Sequence, residues 1–398
     1  MGRFITGFEW EPYLSDTIMY PDMQWAFQKP ISEWWRLAKP INEFSAWEQE
    51  WLHKRFEATQ DQEKIKELFE EYYVKHNRES IIMRQNIYKD FSFLFENTDI
   101  TPPKDGVLRI YDNKKLFDSI IESHTTYNFL KEILSLDEII LRFPIYKEAA
   151  EKGLIAGGII AEWFSLNILA FVDNIINYLE SQGVLFVWNT DIEKIDIDTN
   201  SIVQGLVTKE GKRIISNHYS INPGAYAMWL LDNTTAKWKI GGVAWRWIIM
   251  PRPEWYNIPT KIHGDKRPWF PVTDNNFTPF TEDDKRMIAV GWGYVYVWNW
   301  KENYDDAYAI VDAENERTTE LYFWEFYRSA KAKGEIKVRH NACIRSFTYD
   351  DKPIHEVMRT VEGGYLTITA GTNTGTTTVA PYLAEWTKKV LDRGEVSL

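Results

Sequence analysis

The chain has 398 residues, 44% of them hydrophobic, and a formal net charge of -12. This is the composition of a globular protein with room for roughly two or three domains. It argues against a nucleic-acid backbone as partner, because neutralising phosphates takes clustered Lys and Arg and no dense basic run is present. Cys343 is the single cysteine, which excludes an internal disulfide and a cysteine-cluster metal site, so no metal is expected and a reducing compartment fits.

Met1 to Tyr20 carries acidic and aromatic residues where a signal peptide would need an apolar core, so the default address is cytoplasmic. Ala46 to Lys75 reads as a charged helix, Val107 to Tyr111 as a short strand and Thr126 to Leu134 as a helix. Gly153 to Val172 is long enough to suggest a membrane span but contains Glu162, Ser165 and Asn167. It divides better into a strand-like Leu154 to Ala161 and a helix from Leu166 onward, with no span. Asn167 to Ser181 follows helical spacing through Ile168, Leu169, Val172, Ile175, Ile176 and Leu179, and Gly183 lies where a left-handed cap would sit. Val184 to Trp188, Ile192 to Ile197 and Ser201 to Thr208 read as strands, with Lys209 to Lys212 turning the chain back into Arg213 to Ile215. Lys237 to Met250 and Met287 to Trp298 are long aromatic-rich strands, and Thr318 to Lys333 is a helix.

Near the C-terminus, Gly363 to Pro381 reads as a strand delivering a Gly/Thr-rich turn into a helix. Leu366 and Ile368 suit a buried strand, Gly371 and Gly375 allow close backbone approach, and the helix start leaves N–H groups open to an electron-rich cofactor edge. An ordinary strand-to-helix connection would look the same. Tryptophan is nearly as frequent as glycine, 19 against 21, and Trp292, Trp298, Trp300, Trp245, Trp247, Trp34, Trp35 and Trp163 stand in places that suit Gly-rich turns. Two readings stay open: a codon meaning Gly in the source, or an aromatic-rich domain whose rings bury apolar area or line a pocket. His263, within Lys261 to Arg267, fits a surface loop of mixed charge better than a base.

Several segments, taken together, carry a resemblance. Leu136-Asp137-Glu138 through Phe143-Pro144, Asn167 to Gly183, Asn189 to Ile192, Ile221-Asn222-Pro223-Gly224-Ala225, Cys343 to Ile354 and the Gly/Thr turn follow one another in a familiar order. Over Val107 to Leu398 this order resembles the D-amino acid oxidase-like family of FAD enzymes, nearest in pattern to D-amino acid dehydrogenase and glycine/sarcosine oxidases. The resemblance implies a mixed architecture, α/β plus α+β: a Rossmann-like FAD-binding domain, incomplete at its N-terminus, interleaved with an antiparallel-sheet substrate domain. The boundaries would fall at 1–30, a remnant of the FAD-binding region; 31–150, substrate domain; 151–228, FAD-binding domain; 229–340, substrate domain again; and 341–398, FAD-binding domain.

The implied chemistry is hydride removal from the carbon bearing the amine of an amino acid or secondary amine, with FAD as cofactor. Arg345 would grip the substrate carboxylate with its planar fork, although a structural ion pair is the plainer use of such a residue. Gly224, Gly371, Asn373, Thr374, Gly375 and Thr376 would lie along the flavin, and Ile192 by the adenine. Cys343 resembles the position through which sarcosine oxidase-like members attach the flavin, though a lone cysteine is more often a small buried hydrophobe. One departure is large: no G-x-G-x-x-G turn matches, and Gly153 to Gly158 has the wrong spacing. Truncation, a missed start or a second subunit supplying the nucleotide-binding unit would each account for that. The alternatives are a flavin-free binding or regulatory subunit of the same fold, and oxidation of a 2-hydroxy acid.

Overall fold

The computed structural model describes residues 2–5, 35–58, 61–68, 74–99, 106–126, 130–161, 164–254, 256–263, 274–282, 284–297, 304–338, 343–372 and 376–393. Thirteen strands serve below: β1 (Val107–Tyr111), β2 (Leu130–Leu134), β3 (Gly157–Ala161), β4 (Ile192–Ile197), β5 (Val203–Thr208), β6 (Tyr219–Ile221), β7 (Ile240–Pro251), β8 (Thr260–His263), β9 (Asp274–Glu282), β10 (Lys285–Tyr296), β11 (Cys343–Thr348), β12 (Ile354–Arg359) and β13 (Tyr365–Ala370). The helices include α1 (Ala46–Ala58), α2 (Lys75–Asp90), α3 (Lys114–Thr126), α4 (Leu136–Arg142), α5 (Lys147–Glu151), α6 (Ile168–Ser181), α7 (Asp305–Tyr322), α8 (Trp324–Ala332) and α9 (Thr376–Arg393).

A large mixed sheet runs β7-β10-β9-β8-β1-β3-β2, with β11 on the outer edge of β7. Only β8 and β1 pair in parallel along that path. On one face, Ile248, Met250, Ile262, Phe277, Ile288 and Val290 pack beneath Tyr322, Phe323 and Tyr327. Trp245 and Trp247, alternating with them along β7, join a second core with Trp51 and Leu52 of α1. This alternation follows from the two-residue period of a strand and gives the sheet two covered faces.

The smaller sheet is β6-β13-β12, in which β6 and β13 run parallel. The β4–β5 hairpin continues into Arg213–Ile214 and touches this sheet through a bridge between Val203 and Thr360. Ile195, Val203, Tyr219, Ile221, Leu366 and Ile368 form their common core. The architecture is therefore mixed α/β, as the sequence led one to expect.

Most local features follow the sequence. Asn167 caps α6 by accepting from the backbone of Leu169 and Ala170. Gly183 ends it at φ +85, where Gly183 N donates to Glu180 O and Val184 N to Leu179 O, the double closure of a Schellman cap. Four expectations need correction. Leu130–Leu134 is a strand rather than part of a helix, because pairing with β3 fixes it at the sheet edge; helix α3 stops at Thr126. Thr318 to Lys333 is broken at Phe323, whose ring is pulled into the core against Phe277 at 4.6 Å. Ala46 to Lys75 contains α1 and a separate helix at Gln62–Glu67. Lys261 is buried in an interior strand instead of lying on a loop; His263 follows it in β8, its side chain and Gly264 to Arg267 being outside the described residues.

Val184 to Trp188 also departs from its expected role. The segment enters no strand ladder, and Leu185, Val187 and Trp188 are 85%, 68% and 61% exposed. Leu169 and Val172, on the side of α6 expected to be buried, are exposed as well. Among the described residues no helix is long and apolar enough to cross a membrane, and no cluster of three or more His, Cys, Asp or Glu could hold a metal ion.

The tryptophans divide. Trp51, Trp245, Trp247 and Trp386 are buried. The indoles of Trp245 and Trp247 fill the place a β-carbon on Gly291 would need, at 2.3 and 2.6 Å. Trp238, by contrast, is more than half exposed and has φ +60, a conformation that suits glycine and strains a bulky residue. Trp163, Trp298, Trp300 and Trp34 lie outside the described residues, as do the side chains of Trp35 and Trp292. Relief of the left-handed strain should outweigh the loss of an exposed stack on Trp47 and the looser unfolded chain. Trp238→Gly is therefore expected to stabilise the protein by about 0.5–1 kcal/mol, read as a higher urea midpoint; a lower midpoint would refute it.

Three histidines are held neutral. His124 accepts from Arg109 Nη1 at 2.9 Å, and burial together with that guanidinium pushes it down to about 2. Burial takes His76 and His355 down to about 4. Unfolded histidine keeps its ordinary value of 6.5, so the unfolded chain takes up protons first as pH falls. Stability is then complete above about pH 6.5 and declines below it, down to about 4 for His76 and His355 and on towards about 2 for His124. Thermal midpoints should drop between pH 7 and pH 5, and less steeply in His124→Gln; equal slopes for the two proteins would contradict this account.

Candidate functional site

The site begins where the two parallel strands of the smaller sheet end. Ile221 of β6 stands opposite Ile368 of β13, and each strand runs three residues further into a glycine. Gly224 has φ +62 and Gly371 φ +65. Adjacent parallel strands ending in turns at their carboxyl ends make the usual ligand-binding crevice of an α/β sheet. The Thr369 hydroxyl donates to Asn222 Oδ1, tying the two strand ends together. A β-carbon on Gly224 would meet nothing within 4 Å, so the backbone there is open to an incoming group. On Gly371 it would stand 2.5 Å from Thr348 Cγ2. Glycine is thus required at 371 both by its φ and by contact with the end of β11.

That contact carries Arg345 to the turn. Thr372 bridges Phe347 in antiparallel fashion, and Phe347 lies two residues beyond Arg345 on the same side of β11. The Arg345 guanidinium lies over the Trp245 ring at 4.6 Å, a cation–π contact that holds its plane. Tyr226, two residues after Gly224, accepts a hydrogen bond from Ile344 N at 3.4 Å. The segments of Gly224, Arg345 and Gly371, separated widely in sequence, therefore meet. Ile192 opens β4 and packs against the core that holds Ile221 and Ile368. Its carbonyl accepts from Trp229 Nε1 at 3.5 Å.

Other expected site residues are placed only in part. Cys343 begins β11 opposite Trp245, and Thr376 begins α9, their side chains being outside the described residues. Asn373, Thr374 and Gly375 also lie outside them.

Three features escaped sequence reasoning. Arg55 of α1 donates to Asp351 Oδ1 at 2.6 Å, with both side chains almost wholly buried, and its Nη1 lies 3.4 Å from the carbonyls of Thr348 and Tyr349. Burial opposes the charge of Arg55, but the Asp351 carboxylate and the Tyr296 hydroxyl more than restore it. Arg246 of β7 grips Asp312 of α7 through Nε at 3.0 Å and Nη2 at 2.5 Å. Tyr308, whose ring lies 4.7 Å beneath Arg246, is pushed up to about 12 by burial, against the effect of that guanidinium. The one local signal for Arg246 was a charge inside an apolar strand, and Tyr226 offered none.

No protein-family model and no curated protein matches this chain. Solved structures do. Fructosyl peptide oxidase from E. terrenum aligns at TM-score 0.60 and 13% identity, over 82% of this chain and 76% of that one. Glycine oxidase from Bacillus cereus ATCC 14579 aligns at 0.59 and 15%, over 81% of each. L-proline dehydrogenase from P. horikoshii aligns at 0.58 and 13%, over 81% and 80%. At such identities the likeness concerns architecture: the chain has the fold of these oxidases and this dehydrogenase.

Proposed function

We propose that the chain is a flavin-dependent oxidoreductase that removes a hydride from the carbon bearing the amine of an amino acid or secondary amine. The observation that supports this reading is the bridge between Phe347 and Thr372, which joins the strand that carries Arg345 to the turn that would face the flavin. Neighbours of the same fold include a glycine oxidase and an L-proline dehydrogenase, whose names specify carboxylate-bearing amines.

Gly224 and Gly371 fit the group, since an open left-handed turn lets backbone N–H groups approach the edge of a flat heterocycle. Asn373, Thr374, Gly375 and Thr376 would continue that wall, Ile192 would pack by the adenine, and Cys343 is a point for thioether attachment. FAD, when bound, supplies the hydride acceptor. The chain's own task is placement. Arg345 takes the substrate carboxylate by two parallel hydrogen bonds, and the Trp245 ring behind it strengthens the grip by displacing water. No protein base is needed once the amine enters neutral. Under the proposed domain division the Arg345 and Gly371 segments both fall in 341–398 and Gly224 in 151–228, while Gly157–Ala161, on the 151–228 side, pairs with two strands of 31–150.

A second reading, a flavin-free subunit of the same fold, is favoured by the lack of a G-x-G-x-x-G turn in the sequence; a separate subunit providing that unit would reconcile the two. Oxidation of a 2-hydroxy acid would use the same carboxylate grip. Reconstitution with FAD should give a flavin spectrum that bleaches anaerobically with glycine, sarcosine, proline or a D-amino acid. Arg345→Met should raise KM about 100-fold, a loss of about 3 kcal/mol of carboxylate binding, with Arg345→Lys intermediate. A spectrum that never forms would favour the flavin-free reading, and bleaching by hydroxy acids alone would favour the third.

A further inference from the structure

We propose that Arg55 is a positioning residue for the site: by gripping the turn after β11 it sets the spacing between Arg345 and the Gly371 turn. This rests on the reading of those two segments given above. The guanidinium comes from α1, nearly three hundred positions away in sequence, and takes three acceptors on one short turn: Asp351 Oδ1 at 2.6 Å and the carbonyls of Thr348 and Tyr349 at 3.4 Å. All three contacts are made by Nη1, so the turn is fixed from outside by one nitrogen held at the end of a buried side chain.

What the turn controls makes the grip more than structural. Thr348 ends the strand that carries Arg345, and its methyl group occupies the space beside the Gly371 α-carbon. Movement of Thr348 therefore acts on two things together, the carboxylate-binding guanidinium and the backbone that faces the cofactor. Asp351 holds φ +59, and its carboxylate, at 0% exposure, has no access to water. Without Arg55 that carboxylate would be buried unpaired, a cost relieved only by protonation or by a shift of the turn that Thr348 opens. The similarly buried Arg246–Asp312 pair joins β7 to α7, so an ion pair of this kind can serve packing alone.

The test separates folding from placement. Arg55→Lys keeps the charge on a shorter stem that draws the nitrogen back from the Thr348 and Tyr349 carbonyls, and the double variant Arg55→Met with Asp351→Leu removes both buried charges, restoring the fold without the grip on the carbonyls. Each is measured by thermal melting and by calorimetric titration with propionate, a carboxylate without an amine, alongside wild type and Arg345→Met. The expected result is that the double variant melts near wild type, yet binds propionate at least ten times more weakly, with Arg55→Lys showing the same loss. In FAD-loaded protein the loss should appear in KM more than in kcat. Wild-type propionate affinity in either folded variant overturns the proposal and leaves Arg55 a purely structural residue. If Arg345→Met binds propionate as wild type does, the carboxylate site itself is wrong and the proposal falls with it.

Discussion

A carboxylate and a guanidinium taken out of water cost several kcal/mol each, and the cost is recovered only at close, well-oriented contact. Arg55 and Asp351 meet that condition. Breaking such a pair by removing one partner generally costs about 3–5 kcal/mol, because the other charge stays stranded. The pair thus tolerates few arrangements of α1 against the turn that follows β11. Since β11 is hydrogen-bonded to β7 and bridged to Thr372, the constraint passes into both sheets.

The large sheet distributes chemistry between its faces. Along β7 the alternation sends Arg246 towards α7 and Trp245 to the side where Arg345 lies. A single strand therefore places the guanidinium that pairs with Asp312 and the ring beneath that of Arg345 at consecutive positions. The glycines complete the pattern: Gly291 makes room for the two indoles, and Gly371 makes room for Thr348. Both are sites where even one methyl group would disturb an arrangement spanning several strands.

Local chemistry was legible in the sequence wherever local rules decide the outcome. The Gly183 stop, the β4–β5 hairpin and the glycines after β6 and β13 rest on the intrinsic preferences of a few consecutive residues. Leu130–Leu134 was misread because its conformation is set by pairing with β3, and Phe323 because its ring is claimed by a core built from distant strands. For the site, Arg345 and Gly371 could be connected by the order of motifs. Arg55 could not, since nothing around Ala46 to Ala58 distinguishes it from the other charges of a polar helix. The partner that gives it meaning is 296 residues away.

The unpaired stretch from Val184 to Trp188 has a consequence for behaviour in solution. Five successive apolar residues outside any strand, most of them exposed, offer a template for strand pairing between molecules. A net charge of -12 keeps molecules apart at low ionic strength, but the Debye length shrinks from about 30 Å at 0.01 M salt to about 8 Å at 0.15 M. Colloidal stability in this protein thus depends on long-range repulsion shielding a short adhesive segment, and added electrolyte weakens the first while leaving the second intact.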